Sequence, residues 1–284
     1  MESKGKAKQL LLNLILPVAV LGALIAAIII CAGIAKHASR TNQLLAEENR
    51  SLLDEAEEAK EALQAELSEE NDPTFDYLAI GNSITQHPVI DDLWWGEWGM
   101  AASDADHDYY HLVCKGIDEK YPDAEEQVLN FRIWEEPPYN RDDMLKYLKG
   151  YVTDDLDFIT VMLGDNYHQE EDESDEAYRL RAESEYSDLI RRLKEMAPRA
   201  KIVLIGCFWD NVVLDSAMMH ACEKAECPFI SLFEIQSDDY REGDMTIVEG
   251  GDEAEHLVLG TGAAEHPNDK AMAYIADQVL SHLP

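Results

Sequence analysis

The chain has 284 residues and a formal net charge of −35, with 58 acidic side chains against 23 Lys and Arg. Phosphate recognition rests on clustered Lys and Arg, so this balance excludes nucleic acid as a partner and excludes polyanions held by charge alone. Most of the Asp and Glu read as a solvated surface, which keeps a protein soluble without naming what it binds.

The charge is unevenly spread. Residues 1–40 carry Lys4, Lys6, Lys8, Lys36 and Arg40 against Glu2 alone. Residues 1–9 form a short basic tail, and residues 10–35, Leu10 to Ala35, hold no charged side chain. A run of about 20 apolar residues suffices to cross the hydrocarbon core as a helix, whereas a secretory signal has a shorter apolar region. The expectation is therefore an uncleaved single-pass anchor. The lysines before the span slightly outweigh Lys36 and Arg40 after it, which puts the amino terminus in the cytoplasm and the body of the chain outside the cell membrane.

Residues 36–73 read as a helical stalk. Asn42 to Glu70 is rich in Leu, Ala, Glu and Gln and free of Gly and Pro. Leu45, Leu52, Ala56, Ala59, Leu63 and Leu67 draw a narrow apolar stripe at helical spacing. Two readings fit it: a solvated spacer, or a weak parallel coiled coil pairing two copies of the chain. Asp72-Pro73 closes the segment, because proline disfavours helix in the residue before it.

Residues 74–284 are long enough for one domain with a substantial core. Apolar runs predict strands at Tyr77–Ile80, Val128–Ile133, Phe158–Leu163, Lys201–Ile205 and Phe229–Leu232. Helical patterns fall at Tyr109–Lys120, Arg141–Lys149, Ser174 (as cap) to Met196, Ser216–Ala225 and Asp269–Leu283. Strands alternating with helices predict a three-layer α/β/α sandwich around a mainly parallel sheet. In such sheets the working residues gather past the carboxyl ends of strands. Ser83, Asn166 and Trp209 all fall there.

Three short blocks stand out: Gly81-Asn82-Ser83 after the first strand, Gly164-Asp165-Asn166 after the third, and His266-Pro267-Asn268-Asp269 near the end. Each alone is also ordinary turn or capping chemistry. Together, in this order, they resemble the blocks of the SGNH (GDSL-like) hydrolase family, and the resemblance spans nearly all of residues 74–284. It implies a flavodoxin-like sandwich and a serine esterase working through an acyl-serine, without metal or organic cofactor. Ser83 would be the nucleophile and His266 its base, since a free serine hydroxyl needs activation. The Ser83 N–H and the Asn166 amide would hold the oxyanion, with Gly164 and Asn82 supporting their loops.

The chain departs from that pattern twice. Ala263 stands where the family carries the aspartate that orients the histidine, so the expectation is a Ser–His dyad or a ring held by a backbone carbonyl. Glu265 and Asp210 are the nearby acids. Val128–Trp134 lacks the family's second oxyanion glycine, and Asn130 occupies that region without an assigned role. Trp94, Trp95, Trp134, Trp209 and His87 are candidate pocket residues. Large aromatic faces beside a hydrolytic serine suit sugar rings, and equally often they fill a core.

The expected activity is hydrolysis of ester bonds, acetyl above all, on a small molecule or polysaccharide. The competing readings are O-acyl transfer at the same site and a non-catalytic surface module that binds a glycan or partner. Cys114, Cys207, Cys222 and Cys227 read as buried thiols, with one disulfide left open.

Overall fold

The structure is a computed structural model that describes residues 74–137, 141–252, 254–258 and 260–284. The basic tail, the apolar span and the stalk expected at residues 1–73 lie outside the described residues. Among the described residues no helix is long and apolar enough to cross a membrane.

Five parallel strands form the centre: β1 (Asp76–Gly81), β2 (Glu125–Asn130), β3 (Phe158–Met162), β4 (Lys201–Ile205) and β5 (Phe229–Ile230). Their spatial order is β2-β1-β3-β4-β5. β1 and β3 are apolar almost throughout because both of their faces are covered. β2 is different: it lies at the sheet edge, alternates exposed and half-buried residues, and opens with Glu125-Glu126-Gln127.

That edge position explains a difference from the sequence reading, which put the strand at Val128–Ile133. Backbone pairing with β1 begins at Asp76 opposite Glu125 and ends at Gly81 opposite Asn130. Residues Arg132–Trp134 then turn as a 3₁₀ helix. On an edge strand the register is set by the neighbour's backbone rather than by the most apolar run.

The helices are α1 (Tyr109–Lys120), α2 (Arg141–Leu148), α3 (Asp175–Met196), α4 (Val212–Ala225), the short α5 (Thr261–Ala264) and α6 (Asp269–Leu280). Four are started by side chains that accept an orphan N–H of the first turn. Asp108 takes His111 N, Ser174 takes Ala177 N, Asn211 takes Leu214 N, and Asn268 takes Ala271 N. The Asn211 cap starts α4 four residues before the expected Ser216, and α6 ends at Leu280 rather than Leu283.

Side chains from one sheet face, Tyr77 and Ala79 among them, pack with α1 and α6. Leu78 and Ile80 on the other face pack with α2, α3 and α4. The result is the doubly wound sandwich that strand–helix alternation predicts. A two-stranded antiparallel hairpin, β6 (Ile247–Glu249) and β7 (Glu255–Leu257), and the short α5 have no counterpart in the sequence reading. The four cysteines among the described residues are free thiols, Cys207 and Cys222 buried, Cys114 and Cys227 half-buried.

Candidate active site

In an open sheet of this order, connections leave β1 toward one side and β3 toward the other, opening a crevice at their carboxyl ends. The first two sequence blocks flank that crevice. Gly81 and Met162 are register partners, so the loops after β1 and β3 leave the sheet side by side.

The turn after β1 is tight. Thr85 and Gln86 both donate their N–H to the Asn82 carbonyl, at 3.1 and 3.0 Å. A Cβ on Gly81 would fall 1.8 Å from Thr85 Oγ1, so only glycine lets the chain turn there. Asn82 is buried and its Oδ1 accepts the Ile84 N–H at 3.1 Å. Between them Ser83 is presented at the mouth of the crevice, 8% exposed. Its N–H donates to no partner among the described residues, which leaves it free for a ligand oxygen.

The third block arrives from the far end of the chain. Ser83 Oγ lies 2.8 Å from His266 Nε2, a contact across 183 residues of sequence. His266 Nδ1 lies 2.7 Å from the Gly262 carbonyl oxygen. A carbonyl only accepts, so Nδ1 carries the ring hydrogen and Nε2 presents its lone pair to the serine hydroxyl. A backbone carbonyl thus does what the family's aspartate would do at the position of Ala263, which is itself buried in the core. Neither nearby acid takes part. Glu265 pairs with Arg241, and Asp210 is exposed.

Trp209 completes the histidine's setting. Its ring meets the imidazole edge to face, with centroids 5.0 Å apart and planes at 87°. Its Nε1–H donates to the Glu265 carbonyl at 3.2 Å. Burial pushes the His266 pKa down to about 4, opposed by the Gly262 hydrogen bond and reinforced by the charge of His87. The ring is therefore neutral across the neutral range.

Two consequences follow for pH. The acid limb of kcat/KM should have its midpoint near pH 4, with full activity kept at pH 5–6, where an unperturbed histidine near 6.5 would already be protonated. The same shift bears on stability. Between about pH 6.5 and 4 the unfolded chain binds a proton that folded His266 refuses. Stability is thus complete above the unfolded value and falls with pH across this window, by about 3 kcal/mol in all. A pH–rate profile with midpoint near 6.5 would contradict this.

On the other wall, a Cβ on Gly164 would fall 2.8 Å from Cys207 Sγ, so glycine is what lets this loop pass close to β4's end. Asn166 follows it, half-buried. The surprise is Glu135, at the end of the turn after β2, which is completely buried. Its Oε1 accepts from the N–H groups of Gly164 and Asn166, the latter at 3.1 Å, and from Asn82 Nδ2 at 3.4 Å. Its Oε2 accepts from Asn166 Nδ2 at 3.0 Å. Burial raises its carboxyl above the ordinary range, and the donors from Asn166, Gly164 and Asn82 pull the other way. The Asn166 amide carries a second Nδ2 hydrogen that this bond does not use.

Asp165, in the same loop, accepts the Phe208 and Trp209 N–H groups on Oδ1 at 2.9 and 3.2 Å. Its Oδ2 is shut from solvent. Burial, then the charge of Glu135, push its pKa up to about 7. Asp165 belongs to the Gly164-Asp165-Asn166 block without a role of its own in the sequence reading, and Glu135 is one acid among 58.

The candidate pocket residues divide. Trp94 and Trp134 are core side chains, 0% and 1% exposed, and so are not substrate platforms. Trp94 packs edge to face with Trp98, and Trp134 lies under Arg141 and against Tyr186. The tryptophan-rich loop is tied to the nucleophile turn by backbone bonds, Met100 N to the Ser83 carbonyl at 2.9 Å and His87 N to the Trp98 carbonyl at 3.0 Å. Trp95 is half-buried and stacks on His256, with centroids 4.3 Å apart.

His87 does line a cleft. It shares a volume of about 500 Å³ with the apolar Pro88, Ile90 and Ile133 and with Gln86, Glu97, Asn130, Arg132 and Glu136. Its Nδ1 donates to the Pro88 carbonyl at 2.7 Å, leaving Nε2 as an acceptor. Asn130 donates Nδ2 to the Gln86 carbonyl at 2.6 Å, so it buttresses the nucleophile turn.

Fold and site together define a doubly wound α/β protein with a serine–histidine dyad at the crevice between β1 and β3. No family model matches the sequence, and no curated protein matches it. Solved structures are similar in fold. A phospholipase A1 from Streptomyces albidoflavus NA297 is 11% identical, with TM-score 0.45, covering 74% of this chain and 100% of its own. An extracellular lipase from Streptomyces rimosus is 12% identical, with TM-score 0.43 and the same two shares. A two-domain esterase active on acetylated mannans is 15% identical, with TM-score 0.44, covering 74% of this chain and 48% of its own. At that distance the likeness specifies neither chemistry nor substrate, and the site's own geometry has to do so.

Proposed function

We propose that this chain is a membrane-anchored serine ester hydrolase whose domain faces outward and which removes short acyl groups, acetyl above all, from hydroxyl-rich molecules such as carbohydrate. The observation that carries the reading is the 2.8 Å contact of Ser83 Oγ with a His266 ring whose tautomer is set by the Gly262 carbonyl.

The chemistry follows from that geometry. As Ser83 Oγ attacks the ester carbonyl carbon, its proton passes to His266 Nε2. The carbonyl oxygen becomes an oxyanion, for which the Ser83 N–H and the free Asn166 amide hydrogen are the available donors. The imidazolium then gives its proton to the departing alkoxide oxygen as the C–O bond breaks, leaving an acyl-serine. Water repeats the sequence, losing its proton to Nε2, and the carboxylic acid leaves with Ser83 restored.

The neighbouring cleft supports the choice of substrate. Gln86, His87, Glu97, Asn130, Arg132 and Glu136 offer hydrogen-bonding groups to a hydroxylated alcohol, set among the apolar Pro88, Ile90 and Ile133. On this proposal the full chain in detergent should hydrolyse p-nitrophenyl acetate at least tenfold faster than p-nitrophenyl octanoate, and should release acetate from an acetylated polysaccharide. Preference for octanoate would overturn the substrate assignment, and failure on every ester would overturn the hydrolase. Acetyl found on an added acceptor sugar instead of in solution would assign acyl transfer.

A further inference from the structure

Glu135 takes no part in the proton transfers above, yet it is fully buried and has no cationic partner among the described residues. A buried carboxylate costs several kcal/mol unless donors satisfy it, so four converging N–H groups at one carboxylate amount to a built arrangement.

We propose that Glu135 is a positioning residue that assembles the oxyanion-binding arm by clamping the Asn166 loop onto the nucleophile turn. This rests on the reading of Ser83 as nucleophile. The three groups involved come from three adjacent strands: Glu135 from beyond β2, Asn82 from beyond β1, and Gly164 with Asn166 from beyond β3. One side chain thus spans the crevice floor from the sheet edge inward.

A carboxylate is required for a specific reason. Asn166 could face its neighbour with either Oδ1 or Nδ2, and only Nδ2 can donate to an oxyanion. An ionised carboxylate accepts and never donates, so it selects the orientation with Nδ2 inward. The second Nδ2 hydrogen is then directed away from Glu135 and is available to the substrate. Glutamine would keep one accepting oxygen but set its own NH₂ against that of Asn166, donor against donor.

The full chain in detergent, assayed with p-nitrophenyl acetate, tests this. Glu135→Gln should lower kcat by about 10²-fold, the loss typical of one oxyanion donor, and leave KM within about threefold. Asn166→Ala should cost about the same. The double variant should be no slower than the worse single variant by more than about threefold, because the two residues act as one unit. Losses that multiply in the double variant, an unchanged kcat in Glu135→Gln, or a raised KM with kcat kept would overturn the proposal. Thermal unfolding checks that the variants fold. If Glu135→Gln does not, Glu135→Asp, which keeps the charge but withdraws it by a methylene, enters the same comparison. Ser83→Ala separates the two levels. If it is as active as wild type, the nucleophile reading fails. If it is inactive while Glu135→Gln is as fast as wild type, only the positioning role fails.

Discussion

Replacing Ser83 with alanine should abolish ester hydrolysis, lowering kcat by roughly 10⁴–10⁶-fold while the protein unfolds at its wild-type temperature. The size follows from the unit that is broken. Ser83 Oγ supplies the bond-forming atom, and its 2.8 Å contact with His266 Nε2 is the only activation that oxygen has among the described residues. Removing either member of such a unit costs nearly as much as removing both. His266→Ala should therefore lose a similar factor, and the double variant little more. What remains would come from the Ser83 N–H, which survives as an alanine N–H, and from Asn166. Stability should be little changed in Ser83→Ala, because the hydroxyl sits at the crevice mouth and fills no cavity. Equal rates for wild type and Ser83→Ala, measured with p-nitrophenyl acetate, would end the serine-hydrolase reading.

Truncating Trp94 to alanine should destabilise the domain by about 3–5 kcal/mol, the range for large aromatics removed from a core. For a domain of this size that is a drop of roughly 10 °C in the unfolding midpoint. Trp94 is completely buried, meets Trp98 edge to face at 5.8 Å, and belongs to the cluster that includes Ile84, next to the nucleophile. Trp95 gives the contrast. It is half-buried and stacked on His256, so Trp95→Ala should cost distinctly less. Thermal unfolding of the two variants decides the matter. A Trp94→Ala protein as stable as wild type but impaired on acetylated glycan would show Trp94 to be a substrate platform after all.

The tryptophans show where reading a sequence stops. Three of them within Leu93–Met100 signal a large aromatic mass near the nucleophile, but burial depends on what the rest of the chain lays over them. Here β6, β7 and the segment after them contribute, with Val248 and Val258 in the same cluster. Strand β2 makes the same point for backbone. Its register is dictated by β1, and its own most apolar residues run past its end into a 3₁₀ turn.

Other parts were legible for physical reasons. β1, β3 and β4 are covered on both faces and therefore read as unbroken apolar runs. α3 and α6 open on Ser174 and Asn268, whose side chains have a definite task at a helix start. Ser83 and Asn166 follow such strands directly, so a position in sequence already implied a position at the crevice. His266 was recognisable only through its company, Pro267-Asn268-Asp269, because nothing local ties it to a serine 183 residues away.

The sequence by itself thus determined the layered architecture, the edge of the sheet where chemistry could occur, and the residue types able to perform it. These are properties of local pattern: apolar period, caps, and the turn chemistry of short polar blocks. Only the tertiary structure decided what holds those residues in working order. The Gly262 carbonyl that orients His266 is backbone and has no side-chain signature. Glu135 is one acid among many until three strands bring Asn82, Gly164 and Asn166 to its two oxygens. Long-range hydrogen bonds are made by groups that nearly every residue possesses, and only their convergence in space makes them a site.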